Sequence, residues 1–457
     1  MGKPEIRFKG YTDEWEQRKL KDIIEYIVDN RGKNPPYYCS EGIPVIDNFM
    51  IQNTLYPDLQ TATRFIDGAL YNDFIRKYNE EDDTLLTLVG NGIGNITLFP
   101  KEKAVIIQNT LGFRAKKNRK FLFFLLMANN EKLLKLDRGM AQPSIRQDEI
   151  LDIDIHVPSE SEQTEIGKYF TSIDNLITLH QRKCAEIKSL KKYMLQKMFP
   201  QNEQKVPEIR FEGFTEAWEQ RKLGDLVDRV TRKNQDLVSE LPLTISAQYG
   251  LIDQNEFFDK RVASKDVSGY YLIENGEFAY NKSTSTDAPW GAIKRLDRYE
   301  NGVLSTLYIV FGIKENNPVD SDFLVSYYST NLWHKGIHEI AAEGARNHGL
   351  LNIAPADFFE TKLMIPQDIE EQKKIGKYFE ELERLITLHQ RKPISHLNHS
   401  TTHTKHKGEE KYVRIRVNDR EKINRTANLR RFPVDIPGGF KDGGGSVGEF
   451  QIYSGAE

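Results

Sequence analysis

Residues 34–37 form the motif of this sequence with the most specific chemical meaning. Asn34, Pro35, Pro36 and Tyr37 are consecutive. In such a loop the Asn side chain and a Pro carbonyl can hold the amino group of an extruded adenine while the Tyr ring stacks on the base. This arrangement would serve methyl transfer to adenine N6, which also needs a Gly-rich loop after an earlier strand to hold the methyl donor.

The segment before this motif does not supply such a methyl-donor loop. Only 33 residues precede Asn34, and their glycines are Gly2, Gly10 and Gly32. The polar sequence VDNRGK stands where a hydrophobic strand would lead into the motif. We therefore predict that residues 34–37 are a double-proline loop and that the chain is not itself an enzyme.

Two further features limit the possible chemistry. The Gly-rich residues Gly90 to Asn95 are not followed by a helix with a Lys-Ser/Thr pair, so they predict a tight hairpin, with contact of their backbone N–H groups to a DNA phosphate left open. Cys39 and Cys184 fit neither a metal-ligand nor a disulfide spacing. The sequence has no nuclease-like pattern of acidic residues and no G-x-S-x-G motif. We predict no catalytic residue, no metal and no cofactor.

Composition is that of a folded protein without a membrane span. The 457 residues include 39% hydrophobic residues and carry a formal net charge of −3, which suits two or three domains and leaves room for local basic loops. No segment approaches the roughly 18 apolar residues of a spanning helix, and the N-terminus has no apolar signal segment. With so few cysteines, these features predict a cytoplasmic protein that makes no membrane contact.

The chain repeats itself, and the repeat reveals its organisation. PEIRFKGYTDEWEQRKL at residues 4–20 returns as PEIRFEGFTEAWEQRKL at 207–223. EQTEIGKYFTSIDNLITLHQRK at 162–183 returns as EQKKIGKYFEELERLITLHQRK at 371–392. Each half of the chain therefore consists of a leading motif, an intervening segment and a shared helical segment.

The two intervening segments, 24–158 and 227–366, have similar lengths but hardly match in sequence. In the first, residues 83–100 predict two strands around a turn, and residues 121–136 predict a short helix. In the second, YLIENGEFAYNKS and GVLSTLYIVFGI predict strands, and residues 322–334 predict a helix. Because the order of elements agrees, we predict two copies of one mixed α/β fold.

The shared helical segment begins a long amphipathic helix. From Glu160 to about Met198 apolar residues recur at intervals of three or four, apart from one gap of ten residues between Ile177 and Ile187. No Gly or Pro interrupts the run between Gly167 and Pro200. A rod of about 60 Å needs a partner helix, most simply its own repeat from Ile369 onward. The predicted contact residues are Ile166, Phe170, Ile173, Ile177, Ile187, Leu190 and Met194 in the first copy and Ile375, Phe379, Leu382 and Ile386 in the second.

The second helical copy is shorter than the first. It follows the first as far as Lys392 and then meets Pro393, where the first copy has Cys184. Counterparts of residues 184–200 are therefore missing. Residues 393–457 instead hold four of the ten histidines and a Gly-rich run, which predicts a poorly ordered tail.

The repeated motifs, together with the DNRGKNPPYY opening of the first intervening segment, resemble the specificity subunit of type I restriction-modification enzymes. The resemblance covers residues 4–392. It implies two target-recognition domains, each of which reads one half of a split DNA sequence. It also implies that the paired helices act as a spacer and dock methyltransferase subunits, expected to number two, to which nuclease-translocase restriction subunits add. The departure from the family pattern is the shortened second helix.

Polar residues in the predicted loops are the candidate DNA contacts. Arg and Lys suit guanine, whereas Asn and Gln suit adenine, and the dense basic run with Lys116 and Lys117 suits phosphates. The other candidates of the first segment are Asn30, Arg31, Lys33, Arg138, Gln142, Ser144 and Arg146. Those of the second segment are Arg232, Lys233, Asn234, Asn281, Lys282, Ser283, Ser285, Arg346, Asn347 and His348.

The sequence thus predicts an α+β protein, with two α/β target-recognition domains related by pseudo-two-fold symmetry and separated by long antiparallel coiled-coil helices. The predicted boundaries are 1–158 for the first recognition domain, 159–200 for the central helix, 201–366 for the second recognition domain, 367–392 for the shortened distal helix and 393–457 for the tail. We predict a subunit that directs a type I complex to an asymmetric, bipartite target in double-stranded DNA. Two alternatives stay open, namely an adenine-N6 methyltransferase that uses residues 34–37 and a coiled-coil scaffold that does not touch DNA.

Overall fold

A computed structural model of the chain describes residues 4, 6–32, 34–138, 143–201, 204–246, 249–285, 288–315, 319–341, 346–347, 350–390 and 450–452. The chain divides into two units, the first of Met1–Thr178 with Thr402–Glu457 and the second of Leu179–Thr401. Apart from residues 450–452, the predicted tail lies outside the described residues. That prediction and the predicted domain boundaries stay predictions.

The first unit combines short strands with short helices. Its strands are β1 Ile6–Phe8, β2 Glu16–Lys19, β3 Ile24–Val28, β4 Ile43–Pro44, β5 Phe65–Ile66, β6 Thr84–Thr87, β7 Ile96–Leu98, β8 Thr110–Ala115 and β9 Asp154–Val157, and β1 also pairs with the strand Phe450–Ile452. Its helices are α1 Leu20–Ile23, α2 Arg119–Ala128, α3 Asn130–Leu134, α4 Gln147–Leu151 and the beginning of α5 Glu160–Lys197, with single turns at Asn48–Met50, Leu59–Thr61 and Leu70–Phe74.

A four-stranded antiparallel sheet in the order β3-β8-β6-β7 is the framework of the first unit. Strands β6 and β7 pair with Thr84 opposite Leu98, which confirms the two strands and the turn predicted for residues 83–100. Helices α2 and α3 confirm the helix predicted for 121–136. Helix α2 packs on this sheet, and its Phe121 and Phe123 are buried in the same core as Phe113 of β8.

The second unit contains the same kinds of element. Its strands are β10 Glu219–Lys222, β11 Val227–Val230, β12 Leu243–Ser246, β13 Gly250–Asp253, β14 Tyr271–Glu274, β15 Phe278–Asn281, β16 Ala292–Arg295, β17 Asn301–Leu304, β18 Ile309–Ile313, β19 Arg346–Asn347, β20 Leu350–Leu351 and β21 Lys362–Ile365. Its helices are the end of α5, α6 Leu223–Leu226, α7 Gln254–Phe258, α8 Ser321–Tyr327, α9 Leu332–Ile340, α10 Pro355–Phe359 and α11 Ile369–Gln390.

The second unit repeats the framework of the first. Its four-stranded sheet has the order β11-β18-β15-β16, and the two predicted strand segments are confirmed as β14 with β15 and β17 with β18. In each unit the EQRK strand of the leading motif pairs with the strand that precedes the long helix, β2 with β9 and β10 with β21. The prediction of one fold in two copies is therefore confirmed.

The helix predicted for residues 322–334 is present but broken into α8 and α9. The break falls on short polar residues whose hydroxyls bond back to the main chain. Ser329 Oγ donates to the carbonyl of Val325 at 2.8 Å, and Thr330 Oγ1 donates to that of Tyr327 at 2.6 Å. Such local bonds compete with helix continuation.

A buried ion pair attaches the leading motif of each unit to the first turns of its long helix. Arg7 donates from Nε and Nη2 to the two carboxylate oxygens of Glu162 at 2.6 and 2.7 Å. Arg210 makes the same bidentate contact with Glu371 at 2.7 and 2.8 Å. Both Glu side chains are 1% exposed. Hydrogen bonding to Glu371, opposed by burial, raises the pKa of Arg210 above its ordinary value.

A glycine in the shared IGKYF sequence lets each long helix approach the helix packed on the sheet. A Cβ atom on Gly167 would lie 3.3 Å from the backbone N of Phe121. A Cβ on Gly376 would lie 2.7 Å from the backbone N of Phe323. The repeat therefore preserves a close helix contact as well as the ion pair.

The long helices confirm the predicted helical stripe in the second unit, with one correction. Ile375, Phe379, Leu382 and Ile386 of α11 are buried, and Ile187 and Met194 of α5 pack against the same core. Leu190, by contrast, is 44% exposed. Lys191, whose side chain is 15% exposed, lies one residue further and takes the inward position, because a helix turns 3.6 residues per turn.

Side-chain contacts within the second unit show that α11 runs antiparallel to the end of α5. His180 Nδ1 lies 2.8 Å from His389 Nδ1, and further along α5 Lys191 pairs with Glu383. Residue numbers rise on one helix as they fall on the other. The knobs-into-holes geometry of a coiled coil stays a prediction.

The same stripe is less covered at the beginning of α5, in the first unit. Ile166, Ile173 and Ile177 are half-buried, and Phe170 is 44% exposed. Its counterpart in the second unit, Phe379, is buried against Phe199, with ring centroids 6.0 Å apart. Phe170 nevertheless contacts α2, because its ring centroid lies 5.3 Å from that of Phe124. Its role as a packing or partner-docking residue stays a prediction.

We predict that Glu371→Gln destabilises the second unit by about 3–5 kcal/mol, because it leaves the Arg210 charge, whose side chain is only 12% exposed, without its partner. Urea unfolding of the full chain followed by circular dichroism would measure the loss. Glu219→Gln is the control, since Glu219 and Arg221 form a half-exposed pair for which a cost of about 0–1 kcal/mol is expected. Equal losses in the two variants would contradict the dominant role of the buried pair.

Candidate nucleic-acid interface

A concave polar surface of about 610 Å³ lies on the first unit. Loops at 47–49, 64, 90–91, 108–109 and 143 form its wall. The residues that line it are Asp47, Asn48, Phe49, Arg64, Gly90, Asn91, Gln108, Asn109 and Pro143. Arg, Asn and Gln are the side chains that pair bidentately with base edges, so this concavity, called the first-unit cavity below, can present base-reading groups.

Hydrogen bonds fix the loops around the first-unit cavity. Arg64 Nε donates to Asp47 at 3.0 Å, and its Nη1 donates to the Tyr38 hydroxyl at 3.0 Å. Asn48 Nδ2 donates to the carbonyl of Val89 at 3.0 Å. The Gly90 amide donates to the carbonyl of Pro143 at 3.0 Å. Gly90 to Asn95 thus form the predicted turn, and the turn lies at this cavity.

Sequence-predicted residues of the first unit come together beside this cavity. Arg31 forms an ion pair with Asp29 at 2.9 Å, and its Nη2 donates to Gln147 Oε1 at 3.2 Å. Because Gln147 follows Arg146, this bond connects the predicted residues 30–33 with the predicted residues 144–146. The guanidinium of Arg31 also lowers the pKa of Asp29. Asn34 accepts a hydrogen bond from Gln108 of the cavity wall. Lys33 and Gln142 lie outside the described residues.

The other predicted residues of the first unit differ in how freely their side chains face solvent. The side-chain amide of Asn30 is already used in hydrogen bonds to the main chain, because its Nδ2 donates to the carbonyls of Lys77 and Ile106 at 2.9 and 3.2 Å. Arg138 and Arg146 are exposed and form ion pairs with Glu149 and Asp148. The backbone amide of Ser144 donates to the Asp137 side chain at 2.8 Å.

Lys116 and Lys117 lie apart from this group. Lys116 Nζ donates to the carbonyl of Asp22 at 2.7 Å, and Lys117 pairs with Glu160 at the start of α5. Both lysines are exposed. They lie near α1 and the first turn of α5 and do not line the first-unit cavity. Phosphate contact by these two residues stays a prediction.

The predicted residues of the second unit form three clusters, at 232–234, 281–285 and 346–348. The last two of these clusters lie close together. The Leu351 amide donates to the carbonyl of Lys282 at 3.0 Å, and Lys282 Nζ lies 3.4 Å from the carbonyl of Ile353. The hairpin of β19 and β20, which carries Arg346 and Asn347, therefore lies against the 281–285 loop. Burial lowers the pKa of Lys282. His348 lies outside the described residues.

The polar residues of the 281–285 loop are open to solvent to different degrees. Ser283 and Ser285 are exposed, whereas Asn281 is half-buried. The Asn281 side chain accepts a hydrogen bond from the Ser283 amide at 3.0 Å, and Ser285 Oγ accepts one from the Ala288 amide at 3.1 Å. These bonds shape the loop while leaving the hydroxyl groups accessible.

The 232–234 cluster of the second unit packs elsewhere, and one of its residues is not a surface residue. Arg232 pairs with Glu277 at 3.0 Å. Lys233 Nζ lies 4.0 Å from the centre of the Tyr271 ring. Asn234 is 0% exposed and its amide donates to the carbonyl of Ser239 at 2.8 Å. The sequence-based placement of Asn234 on an exposed loop is wrong, because its side chain is used to close the turn that follows β11.

Sequence reasoning missed most residues of the first-unit cavity. Asn48, Arg64 and Gln108 are separated widely in sequence and lie outside every group of residues predicted to contact DNA. Gly90 and Asn91 belong to the predicted turn, for which the sequence leaves contact with a DNA phosphate open. Asn109 has a backbone φ of 59°, which Asn tolerates better than most residues. Only the sheet brings these residues to one surface.

Neither a metal-binding cluster nor a membrane span occurs among the residues that the structure describes. No group of three or more His, Cys, Asp or Glu side chains there could hold a metal ion. No helix in that part of the chain is long and apolar enough to cross a bilayer.

Comparison with known proteins identifies one family. The profile of the family described as "Type I restriction modification DNA specificity domain" matches residues 12–189 and 215–397. The specificity subunit of the type I restriction enzyme MjaVIII from Methanocaldococcus jannaschii is 25% identical over 228 residues, which cover 47% of this chain and 50% of that protein. The chain therefore spans about half the length of this curated relative.

A solved structure shares the fold of the chain. The S subunit of a type I restriction-modification system from M. genitalium has a TM-score of 0.54 and 13% sequence identity, and the alignment covers 84% of this chain and 92% of that chain. At this level of identity the likeness concerns the fold alone. It agrees with the α+β architecture of two related domains with long helices.

We predict that Asn234→Ala destabilises the second unit by about 1–3 kcal/mol, because it leaves the buried amide and carbonyl of Ser239 without a partner. Thermal unfolding of the full chain would measure the change. Lys233→Ala, one residue earlier, removes a cation–π contact with Tyr271 and an exposed hydrogen bond to the carbonyl of Gly269. It is expected to cost at most about 1 kcal/mol, because the hydrogen bond is open to solvent and the lysine is only half-buried. A neutral effect of Asn234→Ala would contradict the structural role of this side chain.

Proposed function

Because the chain belongs to the family of type I restriction-modification DNA specificity domains, we propose that it recognises double-stranded DNA for a type I restriction-modification complex and catalyses no reaction itself. One observation carries the proposal, namely that a single fold occurs twice with the same buried Arg–Glu attachment but with different loops. A repeated framework with divergent loops suits two different recognition surfaces.

Each unit offers a surface of the right chemistry for one half of a split target. In the first unit we assign base reading to the first-unit cavity, where Asn91 is exposed and Arg64 is partly exposed. In the second unit we assign it to the 281–285 loop with the adjoining hairpin of Arg346 and Asn347. Because the two sets of residues differ, the DNA target is asymmetric.

The long helix gives these two weak contacts their selectivity. Each half-site alone would bind weakly, but linking two recognition surfaces makes the second contact intramolecular. The gain in affinity then depends on the distance between the half-sites. We propose that the length of α5, 38 residues from Glu160 to Lys197, sets that distance.

The outer faces of the long helices are proposed as the docking surface for methyltransferase subunits. Leu176, Leu179, Leu190 and Tyr193 of α5 are each between 44% and 54% exposed. Apolar side chains exposed on one helix are typical of a surface that a partner covers. We propose two methyltransferase subunits, through which restriction subunits join the complex.

The catalytic alternative, adenine methylation by residues 34–37, has less support. The Asn34 side chain accepts a hydrogen bond from Gln108, and the Tyr37 hydroxyl donates to Asp67 at 2.8 Å. Both side chains are thus engaged within the protein. The scaffold alternative would leave the polar first-unit cavity without a role.

We predict that the purified chain alone transfers no methyl group to DNA from a labelled methyl donor, whereas the chain with methyltransferase subunits retards a duplex that carries the split target. Retardation should weaken as salt rises, because phosphate contacts release counterions. Incorporation by the chain alone would favour the catalytic alternative. Salt-independent or sequence-independent behaviour of the complex would favour the scaffold.

We predict that a seven-residue helical insertion between Thr178 and Leu179 lengthens the gap between half-sites and leaves the half-site sequences unchanged. Seven residues add about 10 Å at ~1.5 Å per residue, or about three base pairs at ~3.4 Å each. They also keep the apolar stripe nearly in phase. Single-molecule methylome sequencing would read both quantities.

The control for this experiment is the same insertion in the exposed loop between Lys260 and Arg261. It should change neither the gap nor the half-sites. An unchanged gap after the helical insertion would show that α5 does not set the spacing.

A further inference from the structure

A second cavity, of about 520 Å³, lies within the second unit. Its wall is formed by the end of α5, by the segment from Ala288 to Lys294 and by the residues from Tyr328 to His334, where α8 ends and α9 begins. This lysine-lined cavity carries none of the base-reading residues predicted from the sequence.

The charges around the cavity are unbalanced. Lys188, Lys191, Lys192 and Lys294 line it, and the acidic lining residue is Glu383. Glu383 is engaged by Lys191. Within the described part of the chain, no ion pair is formed by Lys188, Lys192 or Lys294. The lining therefore carries a net positive charge of about three at neutral pH.

Lys294 and Lys191 are half-buried, whereas Lys188 and Lys192 are exposed. Lys294 sits on β16 beside Ile293, which belongs to the hydrophobic core. Burial and, secondly, the charge of Lys191 lower the pKa of Lys294, and the charge of Glu383 only partly opposes this. A half-buried cation that forms no ion pair of its own is unfavourable, and the like charge of Lys191 adds to the cost. A bound anion would remove both penalties.

Two hydrogen-bonding features of the same wall also favour an anion. Helix α9, nine residues long, begins here, and Asn331 makes no side-chain cap bond to its first turn. The N-terminal end of a helix dipole is positive and attracts anions. The indole Nε1 of Trp333 is buried and has no hydrogen-bond partner among the described residues. An indole nitrogen is a donor only.

We propose that the lysine-lined cavity binds a phosphate group, with Lys191 and Lys294 as its inner contacts and Lys188 and Lys192 at its rim. Ser285 Oγ accepts the amide of Ala288 at 3.1 Å, so the cavity wall continues directly into the 281–285 loop. A backbone phosphate of DNA read by that loop is therefore one source, and this source rests on the proposed function. A free phosphate or pyrophosphate is the other.

The site belongs to the second half of the chain alone. Lys188, Lys191 and Lys192 lie in the segment 184–200, for which the second helical copy has no counterpart. A phosphate contact here would strengthen one half-site and not the other. It would also give the helix a direct part in DNA binding, separate from its length.

The test compares four forms of the full chain, namely the unmodified protein, Lys294→Gln, the double variant Lys188→Gln with Lys192→Gln, and Lys377→Gln. Lys377 is exposed on α11 and does not line the cavity, so its variant controls for the removal of one charge. Lys188 and Lys192 are exposed, so their double variant should fold and still tests the site if Lys294→Gln misfolds. Calorimetry with pyrophosphate measures the small anion, and titration with duplex DNA at several salt concentrations measures the backbone phosphate.

If the phosphate is free, pyrophosphate binds saturably to the unmodified chain, and the affinity falls about tenfold or more in both cavity variants. If it belongs to DNA, the cavity variants lower the slope of log affinity against log salt by about one for each phosphate that they no longer bind. Lys377→Gln should match the unmodified chain in both arms. Cavity variants indistinguishable from Lys377→Gln in both arms would overturn the proposal.

The two proposals can fail separately. Pyrophosphate binding abolished in the cavity variants, with no sequence-selective binding of DNA by the complex, would uphold the phosphate site and contradict the proposed function. If all four forms bound DNA with equal affinity and sequence selectivity, and none bound pyrophosphate, the proposed function would be upheld and the phosphate site would be contradicted.

Discussion

The attachment of each leading motif to its long helix depends on a buried Arg–carboxylate pair. Arg7 with Glu162 and Arg210 with Glu371 are bidentate and nearly inaccessible to water. Removing either partner would leave a buried charge without compensation, so the pair can be kept or removed only as a whole. The constraint fixes where the leading motif, the EQRK strand and the first helical turn meet, and it explains why these short stretches repeat almost unchanged.

Outside this attachment the two units are free to differ. The sheets share one strand order, but the loops that leave them carry different residues and different lengths. In the first unit they enclose a polar cavity with Arg64 at its side, and in the second they form an exposed loop against a short hairpin. Loops on a fixed framework can change without cost to the core, which suits two different half-sites on one chain.

The unequal helices make the second unit the better covered of the two. Phe199, two residues beyond the end of α5, packs against the buried Phe379. The end of α5 supplies three of the four lysines of the second cavity. At the beginning of α5, in the first unit, Phe170 is 44% exposed. Residues 184–200, for which the second helical copy has no counterpart, therefore contribute both to the core of the second unit and to the proposed phosphate site.

The sequence by itself determined the repeat, the long helices, the strands within residues 83–100, 271–283 and 302–313, and the family, because these depend on local periodicity and on motifs. It could not place side chains that the fold brings together from distant positions. Asn234 looks like a loop residue in sequence but is buried. Leu190 fits the apolar stripe of the helix, but the structure exposes it and turns the neighbouring Lys191 inward. Only the tertiary structure assembled the polar cavity and the lysine-lined cavity, because each draws its residues from several strands, helices and loops whose contacts depend on packing and not on spacing along the chain.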